Sequence, residues 1–144
     1  MRMEEFRGVV TVVNDAYNAN PASMAAALAE FGRRRATGRK ILVCGDMLEM
    51  GAAARARHEM LGRTAAGSGI DWLCAVGGMA DAVAAGAEAE GMARDRIRAW
   101  PDAAAAAREL PPLVAKGDLI WLKGSRRVGL ETVAKAVRER FHAV

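Results

Sequence analysis

Short, almost uninterrupted apolar runs recur along the chain, and helical patterns lie between them. That alternation restricts the fold more than any other feature. Val9-Val10-Thr11-Val12-Val13 is nearly all β-branched, and Ile41-Leu42-Val43-Cys44, Trp72-Leu73-Cys74-Ala75-Val76 and Leu119-Ile120-Trp121-Leu122 follow at intervals. Strands that are apolar at every position, not at alternate ones, are buried on both faces, as in parallel sheets. Ile97–Trp100 is a weaker candidate for a fifth strand.

The intervening segments carry helix signals. Asn20 followed by Pro21 is an N-cap with proline at the first helical position. Met24, Leu28 and Phe31 then recur at helical spacing, and Gly38 lies beyond the end. Further helices are expected over residues 53–66 and 79–90, closed by Gly67 and Gly91. Asp102 caps an alanine-rich helix interrupted by Pro111-Pro112, and a last helix carries Leu130, Val133, Val137 and Phe141. Buried strands alternating with helices give an α/β fold of three layers, with a mostly parallel sheet of about five or six strands. Residues 1–8 are expected to be a linker or an edge strand, and residues 9–144 a domain.

Composition agrees with one packed domain. The 144 residues are 52% hydrophobic and only 5% aromatic, with much of the apolar share alanine, so the core rests on aliphatic side chains and close helix approach. The net charge of +4 permits an anionic partner. Its densest run, Arg33-Arg34-Arg35 with Arg39-Lys40, reads as a solvated helix end and not as a nucleic-acid surface. Cys44 and Cys74 sit inside apolar runs, which suits buried thiols in a reducing, cytoplasmic setting. No uncharged apolar run reaches the roughly 20 residues of a membrane span, and the acidic N-terminus does not resemble a signal peptide.

Open α/β sheets bind ligands at the carboxyl ends of their strands, where the unusual residues of this chain fall. Asn14-Asp15-Ala16-Tyr17-Asn18-Ala19-Asn20 follows the first run, and Gly45-Asp46-Met47-Leu48-Glu49-Met50-Gly51 the second. Gly77-Gly78 follows the third, and Lys123-Gly124-Ser125-Arg126-Arg127 the last. Each has a structural reading: Asn20 as a cap, Asp15 and Asn18 in turn hydrogen bonds, Asp46 and Glu49 as loop solvation, Gly77-Gly78 as a tight turn. Glu131 could pair with Lys135, and His58 could be a packing histidine. Lys123, Ser125 and Arg126 before a helix suit an anion. There is no P-loop, dinucleotide-binding glycine motif, zinc spacing or nucleophile elbow. A standalone module that binds a nucleotide or small anion fits these residues; a receiver-like domain fits less well, since Asp15 lacks a paired acid and a phosphoacceptor aspartate.

Three motifs carry a family resemblance: Asp15-Ala16-Tyr17-Asn18-Ala19-Asn20-Pro21-x-Ser23-Met24, Gly45-Asp46-Met47-Leu48-Glu49-Met50-Gly51 with His58, and Lys123-Gly124-Ser125-Arg126 with Glu131. In this order they resemble the C-terminal domain of the Mur ligase family, in the branch that adds D-alanyl-D-alanine during peptidoglycan synthesis. Asn14 departs from the second aspartate common in that branch. The resemblance implies a Rossmann-like lid of an ATP-dependent amide ligase. It closes over ATP and Mg2+, which are bound mainly by a missing central domain, and an N-terminal domain holds the UDP-sugar. The tripeptide carboxylate of UDP-MurNAc-tripeptide is phosphorylated, and the amine of D-Ala-D-Ala then displaces the phosphate. By the same resemblance Asp15, Tyr17 and Asn18 face the nucleotide. Gly124, Ser125, Arg126 and Glu131, and more weakly Asp46 and Glu49, face the amino substrate, with Arg126 on the dipeptide carboxylate and Glu131 on its ammonium. No residue of this domain alone is expected to be catalytic or to ligate a metal, so the chain by itself is expected to be inactive.

Overall fold

The computed structural model describes residues 2–6, 10–16 and 19–142. Six strands form one sheet: β1 (Arg2–Phe6), β2 (Val10–Asp15), β3 (Lys40–Gly45), β4 (Trp72–Val76), β5 (Ile97–Trp100) and β6 (Leu119–Lys123), in the order β1-β2-β6-β3-β4-β5. All neighbouring pairs are parallel except β1–β2, in which Glu4 lies opposite Val12. The four expected strands and the weak fifth are present. Val9, at the start of the first run, lies outside the described residues.

Among the described residues five helices flank the sheet: α1 (Pro21–Arg33), α2 (Ala54–Ala66), α3 (Ala80–Ala89), α4 (Ala103–Glu109) and α5 (Glu131–His142). The chain steps from β2 to β3, β4 and β5 in one direction across the sheet, with α1, α2 and α3 on one face. It then returns to β6 through α4, and α4 and α5 cover the other face. Reversing direction while keeping one crossover hand requires this change of face. The expected helix at residue 53 begins one residue later, after a 3-10 turn at Gly51–Ala53, and the helix expected over 79–90 is shorter by one residue at each end.

Strand residues divide between two cores by alternation. Val10, Val12, Ile41, Val43, Ile120 and Leu122 pack against α4 and α5. Val13, Leu42, Cys44, Leu73, Ala75 and Trp121 pack against α1, α2 and α3. With few rings available, helices approach through small residues. A β-carbon on Gly62 of α2 would lie 2.9 Å from the amide nitrogen of Ala87, and one on Gly86 of α3 would lie 2.7 Å from the carbonyl carbon of Glu59. These two glycines let the α2 and α3 backbones touch.

Local chemistry sets the element ends. Asn20 Oδ1 accepts from the Ser23 amide at 2.9 Å, and Ser23 Oγ accepts from the Asn20 amide at 3.0 Å, a complete capping box. Asp102 caps α4 by accepting from the Ala105 amide at 2.8 Å. Lys135 of α5 pairs with Glu139 at 4.0 Å and not with Glu131. Among the described residues no helix is long and apolar enough to cross a membrane.

Candidate functional site

The carboxyl ends of β2, β6 and β3 lie side by side, and this is where the strand order reverses, since β6 inserts between two strands that precede it. Asp15 ends β2 and Lys123 ends β6, in register. Lys123 Nζ lies 3.0 Å from Asp15 Oδ2, with the lysine side chain only 6% exposed and the aspartate 20%. Lys123 is therefore not an open cation awaiting an anion, as its neighbourhood in the sequence suggested. It is a buried charge held to the aspartate at the tip of the adjacent strand. Tyr17 and Asn18 lie outside the described residues.

The second and third motifs meet through their glycines. A β-carbon on Gly124 would stand 3.0 Å from Gly45 Cα and 2.9 Å from a methyl of Leu130. One on Gly45 would stand 2.9 Å from a methyl of Val128. Glycine is required here for close backbone approach, and the two loops share a floor of main chain.

The loop after β3 is latched twice. Asp46 reaches across to α3: its Oδ2 accepts from the Gly78 amide at 2.9 Å and its Oδ1 from the Met79 amide at 3.0 Å. It ties this loop to the two residues that lead into α3, whose own N-cap makes no side-chain hydrogen bond. Gly77, at φ +125, leaves room for it, because a β-carbon there would fall 2.6 Å from the Asp46 carboxyl carbon. The second latch is His58, fully buried, whose Nε2 accepts from the Met47 amide at 2.9 Å. That bond leaves Nδ1 as the protonated nitrogen, which donates to the Ala54 carbonyl at 2.6 Å. His58 is a positioning histidine. Between the latches Glu49 is exposed and holds φ +62, a left-handed conformation costly for a residue with a side chain.

Beyond the latched loop opens a cleft of about 300 Å³, lined by Asp46, Leu48, Gly77, Pro101, Asp102, Arg127 and Val128. Its walls are apolar on one side, with a guanidinium and two carboxylates facing the same space. Arg126 is the arginine expected on the substrate; the 3-10 turn Arg126–Val128 carries Arg127 and Val128 to the cleft. Glu131, exposed in the first turn of α5, does not line it. Asp102 was legible only as a helix cap, and its second role comes from β5 ending beside β4. Ser125 Oγ is buried with no hydrogen-bond partner among the described residues, an unmet donor at this rim. Among the described residues no group of three or more His, Cys, Asp or Glu side chains could hold a metal ion.

Comparison with known proteins bears on the same residues. A family model described as Mur ligase, glutamate ligase domain, matches residues 1–126. The chain belongs to this family. Among curated Mur ligases it is 33% identical over 130 residues to the UDP-N-acetylmuramoyl-tripeptide–D-alanyl-D-alanine ligase of Bacillus subtilis, covering 90% of this chain and 28% of the relative. Among solved structures, MurF from Acinetobacter baumannii superposes with a TM-score of 0.84 at 29% identity, covering 96% of this chain and 30% of that one. The MurF ligase of Thermotoga maritima, solved in complex with ADP, gives 0.72 at 28% identity over 96% of this chain and 30% of its own. The chain thus spans under a third of the length of these Mur ligases.

Proposed function

We propose that this chain is the C-terminal lid of an ATP-dependent amide ligase that adds D-Ala-D-Ala to UDP-MurNAc-tripeptide. The observation that carries the reading is the cleft beside the latched loop, in a chain a third identical to a D-alanyl-D-alanine ligase. A dipeptide of alanines has an ammonium, a carboxylate and two methyl groups. Arg127 matches the carboxylate, the exposed Asp102 with Asp46 behind it matches the ammonium, and Leu48, Pro101 and Val128 match the methyls. In this reading Arg127 takes the role expected of Arg126. Glu49 and the Gly124-Ser125-Arg126 turn border the substrate, and Glu131 stands further off.

Asp15, held by Lys123, is the nucleotide side; Tyr17 and Asn18, outside the described residues, are assigned the same role. The Thermotoga relative was solved with ADP, which supports an adenine nucleotide as ligand; a central domain holds most of it in this reading. Mg2+ is taken to travel with the nucleotide, as the resemblance to Mur ligases implies. The lid's contribution is orientation: it fixes the amine against the activated carboxylate, converting an encounter into an effectively unimolecular step. The other two domains are its partners, and the reaction belongs to the bacterial cytoplasm.

Titrating D-Ala-D-Ala into the 144-residue chain tests this. Weak saturable binding is expected, lost in Arg127→Ala and largely kept in Arg126→Ala, with no ADP formed from ATP. Binding indifferent to Arg127→Ala sinks the cleft assignment, and turnover by this chain alone sinks the lid assignment.

A further inference from the structure

A second polar cavity lies at the opposite end of the sheet, by the amino ends of β2 and β6. Its volume is about 430 Å³, and its lining includes Thr11, Arg34, Arg35, Thr37 and Lys116. Three segments distant in sequence supply these groups: the start of β2, the loop after α1 and the turn before β6. Arg34 is fixed in place. Its Nε donates to Glu30 at 3.2 Å and its guanidinium sits 5.7 Å from the centre of the Trp121 ring. Arg35 and Lys116 are exposed and have no hydrogen bond or ion pair with other described residues.

Two carboxylates also line the cavity. Asp118 is committed, accepting from the side chain of Arg39 at 2.8 Å and from the Arg39 and Ala115 amides. Glu5 is exposed and opposes an anion, but Arg34, Arg35 and Lys116 line the same cavity and outnumber it. Gly117, at φ +89, keeps the wall open: a β-carbon there would stand 2.6 Å from Thr37 Oγ1. Convergent guanidinium, ammonium and hydroxyl donors around a concave space are the recognition set for an oxyanion.

We propose that this cavity is an oxyanion site that takes a phosphoryl group, free or carried on a small molecule, and that it is separate from the rim at the carboxyl ends of the strands. Most of the sheet's length lies between the two, so either can fail without the other. The test is a titration of the 144-residue chain with inorganic phosphate, followed by amide NMR at ionic strength held constant with chloride. Saturable shifts are expected at Thr37, Gly117 and Leu119. The apparent dissociation constant for those shifts should rise at least tenfold in Arg35→Ala/Lys116→Ala, two exposed sites whose replacement leaves the rest of the spectrum unchanged. Arg108→Ala/Arg140→Ala removes the same charge elsewhere on the surface and should leave the constant as it was. No saturable shift at these amides, shifts confined to residues 123–127, or equal weakening by the two double variants would overturn the proposal.

Discussion

Gly62→Ala sets two effects of opposite sign against each other. Alanine in a helix interior is favoured over glycine by about 1 kcal/mol. Against that, the new methyl on α2 would overlap the Val83 carbonyl oxygen of α3 and lie 2.9 Å from both the Val83 carbonyl carbon and the Ala87 amide nitrogen. These are backbone atoms inside a hydrogen-bonded helix, so no side-chain rotation relieves them. The two helices must separate by about an ångström, loosening Leu61, Ala65, Val83 and Ala87, all buried at that layer. Overpacking of this kind costs roughly 1–3 kcal/mol and occasionally more. The upper part of that range applies here because the neighbour cannot give, for a net loss of about 2 kcal/mol. With a urea m-value of about 2 kcal/mol/M, the midpoint should fall by roughly 1 M. Gly86→Ala strains the same seam from the other side, against Glu59, so the double variant should cost less than the sum of the two. An unchanged or raised urea midpoint in Gly62→Ala would refute the view that backbone contact between α2 and α3 determines the packing.

Three further outcomes are expected. Asp46→Asn keeps one acceptor but turns an amide NH2 towards a backbone N–H, so the loop latch should weaken by about 1–3 kcal/mol, read by urea unfolding and by faster hydrogen exchange at Gly78 and Met79. Asp15→Asn takes the carboxylate from a buried ammonium and should cost about 3–5 kcal/mol, of which Lys123→Met in the same chain should recover a part; a neutral Asp15→Asn would show the pair to be idle. Burial pushes the Cys44 thiol up to about 12, with Asp46 adding to the rise, and pushes Cys74 up to about 12 as well. Both should resist alkylation at pH 8 in the native state and react in denaturant. Because the folded thiols are harder to ionise than unfolded ones near 9.0, the stability they contribute is complete below pH 9 and declines as pH rises towards 12, as thermal melts across that range would register.

The layers were legible because the central strands are apolar at every position, and nothing except burial on both faces accounts for Ile41 to Cys44 or Leu119 to Leu122. The edge strand β1 was legible only as an alternative, since its charged residues carry no such pattern; Glu4 is there to meet Arg138 of α5 at 2.9 Å. At the rim, the loops marked in the sequence come together, but what each side chain touches there could not be read from the sequence. Asp46 read as loop solvation or a weak substrate group and His58 as a packing histidine, and both hold the backbone of other segments, because hydrogen-bond partners on other elements are invisible in a linear motif. Lys123 looked available and is buried, because register with Asp15 depends on which strands become neighbours. Arg127 was passed over beside Arg126, and only the tightness of the 3-10 turn decides which of the two faces the cleft.

The contact between Gly45 and Gly124 divides the rim into a part that can change and a part that cannot. A side chain added at Gly124 would press on the Gly45 main chain and a Leu130 methyl, and one added at Gly45 would press on the Val128 side chain, so that floor offers little handle for altering what binds above it. Leu48, Pro101, Arg127 and Val128 stand on the walls of the cleft. A ligase of this architecture that accepted a different amine would be expected to differ at those four positions and to keep both glycines.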